Sequence, residues 1–132
     1  MKDIIFFDTD EVLLIYKFTI PNSSVFKGLR DRNLLESAIA QPQISMFGKY
    51  IYQDIFEMAA AYFYHIIKNH PFVDGNKRTG LVVAISFLQE NNITVHYDFD
   101  SLYELAIGVA DSSLKKEDIA QYFRECSIKT KK

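Results

Sequence analysis

The chain has 132 residues, 48% of them hydrophobic and 14% aromatic, which suits one compact domain with a real core and excludes a disordered chain. Its net charge of −2 gives no electrostatic footprint for nucleic acid, so nucleic acid is expected only indirectly, through a partner. One cysteine, Cys126, excludes an internal disulfide and fits a reducing cytosol, so a cytoplasmic location is expected.

In chain order, Ile4–Phe7 reads as a short strand and residues 9–20 as a helix capped by Thr9 or Asp10. The apolar start is interrupted by Asp3, Asp8, Asp10 and Glu11 and has no basic leader, so neither a signal peptide nor a membrane span is expected. Residues 21–24, PNSS, read as a loop. A helix follows at 30–41, with Asp31 as N-cap and Leu34, Leu35, Ala38 and Ile39 at helical spacing, and Pro42 stops it. Residues 41–53 carry Pro, Gly and no clean period, and read as an extended loop or hairpin.

The clearest pattern begins at Asp54, the expected cap of a helix to Asn69. Ile55, Ala59, Tyr62, Phe63, Ile66 and Ile67 share one face, and Pro71 ends the helix because the residue before proline avoids the α region. A second helix is expected over 76–91. Between Leu81 and Leu88 only Ser86 is polar, so it belongs in the centre of a bundle. Residues 93–97 read as a strand or connector, and 100–111 and 115–126 as closing helices, the last with Ile119, Tyr122, Phe123 and Cys126 inward. The basic end of the chain reads as a solvated, frayed terminus. The fold class is therefore all-α: one helical bundle over 1–132 with a short β-like excursion.

The loop between the two central helices carries the chemistry. HPFVDGNKRTG, residues 70–80, sets polar groups against one of the most apolar segments of the chain. A helix N-terminus presents unpaired N–H groups and partial positive charge, so it attracts anions. Gly75 permits a positive φ that gathers N–H groups into a nest. Lys77 and Arg78 in the first turn have the wrong sign for the helix dipole, which points to an anion among them. His70 is a candidate general base and Asp74 a hard oxygen ligand for Mg²⁺, which takes one or two carboxylates beside phosphate and water. Singly, such residues are ordinarily a cap, a turn and a solvated face. Their conjunction describes a phosphoryl- or nucleotidyl-transfer site. A Walker A loop is excluded because Lys77 follows Asn76 rather than Gly, and a His-Glu-x-x-His zinc site because His65 and His70 are five apart.

HPFVDGNKRTG resembles the active-site motif of the Fic/Doc superfamily, closer to its Doc (death-on-curing) toxin branch, and the likeness extends over about residues 4–124. GLRDRNLLESAIAQPQ, YQDIFEMAAAYFYHIIKNHPF and AISFLQENNITV resemble Doc segments in order and spacing. The resemblance implies a small helical bundle, His70 as base on a target hydroxyl, Asp74 as Mg²⁺ contact, and Gly75, Asn76, Lys77 and Arg78 as the phosphate or nucleotide cradle, with ATP as substrate. Fic nucleotidyl transferases resemble HPFx[DE]GNGRxxR. Here Lys77 replaces their second Gly and Leu81 their second Arg, as in Doc, whereas Gly75 is Fic-like where Doc sites usually carry Ala. Doc toxins are protein kinases that phosphorylate a threonine of elongation factor Tu and arrest translation. The alternatives are nucleotidyl transfer (AMPylation) and a non-catalytic partner-binding role. The resemblance also implies an antitoxin whose C-terminal helix fills a groove. Ile44, Met46, Phe47, Tyr50 and Tyr52 have no obvious helical face and are the candidate groove residues, on a segment that corresponds to the family's substrate-holding flap beside the site.

Overall fold

A computed structural model describes residues 3–21 and 25–129. Helices α1 (Thr9–Thr19), α2 (Val25–Gly28) and α3 (Arg32–Ala40) lead through a single 3-10 turn, Gln41–Gln43, into a hairpin of β1 (Ser45–Met46) and β2 (Lys49–Tyr50). Helices α4 (Ile55–Asn69) and α5 (Asn76–Glu90), strand β3 (Ile93–Val95), helices α6 (Phe99–Ala110) and α7 (Lys116–Cys126) and strand β4 (Ser127–Lys129) complete the chain. The all-α expectation holds, with two small antiparallel pairs added at its edges.

Four helices, α1, α3, α4 and α6, start at aspartates, whose short carboxylates accept the orphan N–H groups of a first turn. Asp31 accepts from Leu34, Asp54 from Glu57 and Asp98 from Ser101. The cap of α1 is Asp8, not Thr9 or Asp10: Asp8 accepts from the Glu11 amide while Glu11 accepts from the Asp8 amide, a reciprocal box that the alternatives cannot form.

One other expectation is corrected. Ile4–Phe7 forms no strand. Its hydrogen bonds go to side chains instead: Ile5 exchanges two with the Asn91 carboxamide, and Phe7 N–H donates to the Tyr62 hydroxyl at 2.9 Å. Residues 130–132 of the expected basic terminus lie outside the described residues. Ser127–Lys129 pair antiparallel with β3, Thr94 opposite Ile128, because the chain leaves α7 alongside a strand with an open edge. Residues 22–24 of the expected PNSS loop lie outside the described residues.

α5 occupies the centre, with Leu81, Val83, Ala84, Ile85, Phe87 and Leu88 buried. α4 is buried more widely than one stripe, because α3, α5, α6 and α7 all pack on it, and Met58, Ala60 and Ala61 join the core. At Gly80 a Cβ would lie 3.2 Å from the Phe63 carbonyl and 3.1 Å from Ile67, so glycine sets how closely α4 and α5 approach. That pair fixes the loop joining them. Among the described residues no helix is long and apolar enough to cross a membrane.

Where α4 meets α7, the Lys116 ammonium donates to the Tyr52 hydroxyl at 2.7 Å and lies 3.1 Å from His65 Nε2, over the rings of Tyr52 and Tyr64. An ammonium only donates, so His65 accepts at Nε2 and carries its proton on Nδ1. Burial, then the neighbouring Lys116 charge, bring the His65 pKa down to about 4. An unfolded imidazole titrates near ~6.5, so the unfolded state binds the extra proton below that pH and the folded state resists it. The His65 contribution is therefore complete above about pH 6.5 and is lost as pH falls towards about 4. For a part-exposed group this is worth about 1–2 kcal/mol. Urea unfolding of the protein and of His65→Gln at about pH 7 and about pH 5 measures it: the parent should lose about 1 kcal/mol more than the variant over that interval.

Candidate active site

His70 caps α4 in a left-handed conformation, φ 52°, ψ 54°, and its N–H donates to the Ile66 carbonyl at 3.2 Å. A non-glycine residue there is strained, so neighbouring structure must hold it. The chain then turns through buried Pro71 and Phe72, and exposed Val73 and Asp74, into α5. Gly75, φ 84°, is the N-cap of α5, as the sequence requires. A Cβ there would also lie 2.7 Å from Ile20.

The loop hangs from its centre. The Phe72 ring is fully buried and stacks on Tyr16, centroids 4.0 Å apart with parallel planes. Its backbone is buried too, and Asn76 satisfies both groups. The Asn76 oxygen accepts from Phe72 N–H at 2.9 Å and its nitrogen donates to Phe72 C=O at 2.8 Å. The Asn76 side chain is thus turned into the loop, and only its backbone amide faces the helix end.

A second segment, Gly28–Asp31, grips the same loop. Val73 N–H donates to the Gly28 carbonyl at 2.7 Å, and the Arg30 and Asp31 amides both donate to the Pro71 carbonyl. The Arg30 guanidinium reaches the His70 carbonyl at 2.8 Å and that of Asn69 at 3.3 Å. Gly28 allows this approach, since a Cβ would fall 2.0 Å from the Tyr16 hydroxyl.

The first backbone hydrogen bond of α5 runs from Thr79 N–H to the Gly75 carbonyl at 2.9 Å. The amides of 76–78 therefore have no intrahelical acceptor, and residues 74–78 line a cavity of about 320 Å³. His70, Asp74, Gly75, Asn76, Lys77 and Arg78 line it, so the structure brings the motif's polar residues to one concave site. Its remaining walls come from Ile20, Pro21, Ile67, Tyr103 and Ala110. The Arg78 guanidinium sits 5.7 Å from the centroid of the Phe99 ring, which in turn stacks on Tyr103. No local signal marks these α6 aromatics in the sequence. Asp74 is exposed at the rim, with one oxygen accepting from Gly75 N–H at 2.9 Å.

Among the described residues no three His, Cys, Asp or Glu side chains gather to hold a metal by themselves. A single accessible carboxylate beside a cationic helix end fits Mg²⁺ that arrives with phosphate and completes its shell from phosphate and water.

The hairpin does not join this site. Tyr50 packs edge-on to Phe6 at 5.5 Å, and Tyr50 and Tyr52 line a larger cavity of about 820 Å³ together with Ile4, Ile5, Ile55 and Met58. That cavity lies at the first turn of α4 and the end of α5, whereas His70 closes the last turn of α4, roughly 22 Å along the axis at ~1.5 Å per residue. The expectation of a flap beside the catalytic loop is corrected accordingly: an uninterrupted helix separates the two. The chain that borders the catalytic cavity is Ile20–Pro21. Four of the five named side chains are exposed, Phe47 at 97%, Met46 at 60%, and Ile44 and Tyr50, whereas Tyr52 is half-buried against the core.

With this geometry in view, residues 6–88 match the model of the family described as Fic/DOC, well over half of the chain. The chain belongs to the Fic/DOC family. It is 40% identical over 72 residues to the Toxin Doc of Mycolicibacterium smegmatis, a match covering 54% of this chain and 55% of that protein. It is 29% identical over 115 residues to the Protein kinase doc of Escherichia phage P1, covering 87% of this chain and 90% of that one. The first match thus spans about half the length of the relative, whereas the second runs nearly end to end. The stretch matched by the Fic/DOC model contains the whole loop and the Gly28–Asp31 segment that grips it.

Asn76→Ala tests the loop's construction. It leaves a buried N–H and a buried C=O of Phe72 unpaired, at an expected cost on the order of 2–4 kcal/mol in chemical unfolding. Asn76→Asp keeps an acceptor for Phe72 N–H but sets a carboxylate oxygen against Phe72 C=O, so it should also destabilise.

Proposed function

We propose that this Fic/DOC protein is a Doc-like toxin: a protein kinase that transfers the γ-phosphate of ATP to a hydroxyl of a protein target, a threonine of elongation factor Tu, and so arrests translation in the cytoplasm. The observation that carries the reading is the single cavity where His70 and Asp74 meet the cationic N-terminus of α5. The end-to-end match to a protein named as a kinase supports it.

In this reading the nucleotide's phosphates lie on the amides of 76–78, with Lys77 as a point charge and Arg78 as a planar donor held by Phe99. His70 takes the proton of the target hydroxyl. The oxygen bonds to the γ-phosphorus as the bond to the β–γ bridging oxygen breaks, and ADP leaves. Mg²⁺ held by Asp74 would neutralise charge on the phosphates. Catalysis is then mostly positioning and charge stabilisation, which a loop held through the Pro71 and Phe72 backbone supplies.

Nucleotidyl transfer is the second reading, favoured by Gly75. Against it stand Lys77, whose side chain borders the cavity where Fic enzymes have glycine, and Leu81, which is 1% exposed in the core where they have a second arginine. A third reading, a non-catalytic binding relative, leaves the assembled polar cavity without a purpose. As partner we propose an antitoxin whose C-terminal helix covers the apolar surface around Phe47 and Tyr50 and the adjoining cavity of about 820 Å³.

Incubation with elongation factor Tu and ATP labelled at either the α- or γ-phosphate separates the readings. Label is expected from the γ position only; transfer from the α position identifies a nucleotidyl transferase, and none from either, with partner binding intact, the non-catalytic alternative. His70→Ala should lower transfer about 10²–10⁴-fold while changing stability by about 1 kcal/mol or less, because the side chain is exposed. Asp74→Asn should raise the Mg²⁺ concentration needed for half-maximal rate.

The partner surface has its own test. A second short reading frame beside this one should encode the antitoxin, and its C-terminal peptide should raise the unfolding midpoint by mass action. Replacing Phe47 and Tyr50 together by Ser should weaken that peptide's binding by about 2 kcal/mol or more; a change within about twofold rejects these two as anchors.

A further inference from the structure

Arg30 lies forty residues before His70 and outside the motif, yet it is the side chain that holds the motif's first residue. Its Nε donates to the His70 carbonyl at 2.8 Å and its Nη2 to the Asn69 carbonyl at 3.3 Å. Those are the last carbonyls of α4, at the negative end of the helix dipole, where a cation with two forked donors fits best. His70 has the left-handed φ of 52° that a β-carbon disfavours, so its conformation persists only if something outside the residue fixes it. Its N–H is fixed by the Ile66 carbonyl and its C=O by Arg30. Three residues on, the same segment takes Val73 N–H on the Gly28 carbonyl.

We propose that Arg30 is a positioning residue for catalysis: by holding the His70 carbonyl it sets the direction in which the imidazole enters the cavity. Its own fold contribution is separable. The backbone amides of Arg30 and Asp31 keep their bonds to Pro71 whatever side chain stands at 30, and the Arg30 side chain is exposed. Loss of the guanidinium therefore frees the peptide after His70 without opening the core. A base displaced by about 1 Å loses about 10²-fold in rate while phosphate binding, which belongs to α5, persists. The inference rests on the reading of His70 as the base, and the experiment keeps the two apart.

Arg30→Ala, Arg30→Lys and Arg30→Gln are compared with the parent and with His70→Ala. Two quantities are read: γ-phosphate transfer as kcat and KM for ATP, and the three-bond HN–Hα coupling of His70, which reports its φ without turnover. The expected result is a kcat for Arg30→Ala lower by about 10–100-fold with KM for ATP within about threefold. Arg30→Lys, still cationic and able to reach a carbonyl, should lie between alanine and parent, and the His70 coupling should move in the alanine variant. A kcat within about twofold of the parent, a lysine variant no better than alanine, or an unchanged coupling overturns the proposal. If the parent transfers neither label, the reading of His70 fails, and the coupling alone decides whether Arg30 fixes the loop. Should Arg30→Ala not fold, the glutamine and lysine variants carry the same readouts.

Discussion

The site depends on one buried peptide unit, that of Phe72. An aromatic side chain this deep carries its backbone inward with it, and a buried N–H and C=O must find partners. Asn76, four residues on, offers a donor and an acceptor in one planar group and closes both bonds. The Tyr16 ring clamps the other side. Phe72 and Asn76 between them leave the intervening residues little freedom, so Asp74 and Gly75 emerge at one place on the surface.

This accounts for the mixture of residues in the motif. Pro71, Phe72, Asn76, Thr79 and Gly80 are buried and fit the loop to α4 and α5, whereas His70, Asp74 and Arg78 are exposed and Lys77 partly so. Polar groups are set against an apolar helix because the helix is the rigid mount. Its start meets solvent beside the loop, and its unpaired amides are part of the equipment. Lys77 and Arg78, unfavourable to an isolated helix at this position, are what a bound polyanion would require.

The same helices keep two surfaces apart. Chemistry is gathered where α4 ends and α5 begins; the exposed apolar side chains of the hairpin lie where α4 begins and α5 ends. A partner on the hairpin surface would not touch His70 directly. Any influence on the site would travel through the α4–α5 pair, whose close packing at Gly80 makes it stiff, or by covering more of the molecule than the hairpin alone.

The sequence by itself determined the helices whose burial is periodic or complete, the aspartate caps at Asp31 and Asp54, the end of α4 before Pro71 and the positive φ of Gly75. Each is a local matter of spacing, a short carboxylate, a missing N–H or a missing β-carbon. It also showed the polar residues of the motif, because they are contiguous. Tertiary structure decided whatever depends on a distant partner. Ile4–Phe7 is extended in either case, but only the arrival of Tyr62 and Asn91 makes side chains, not a strand, its hydrogen-bond partners. Ser127–Lys129 became a strand because β3 lay open beside it. Asn76 reads as a polar ligand until Phe72 is seen buried against it. The hairpin's distance from His70 is set by the unbroken length of α4, and Arg30 gained its place on the His70 carbonyl only when the bundle closed, since nothing in GLRD marks which carbonyl that guanidinium will meet.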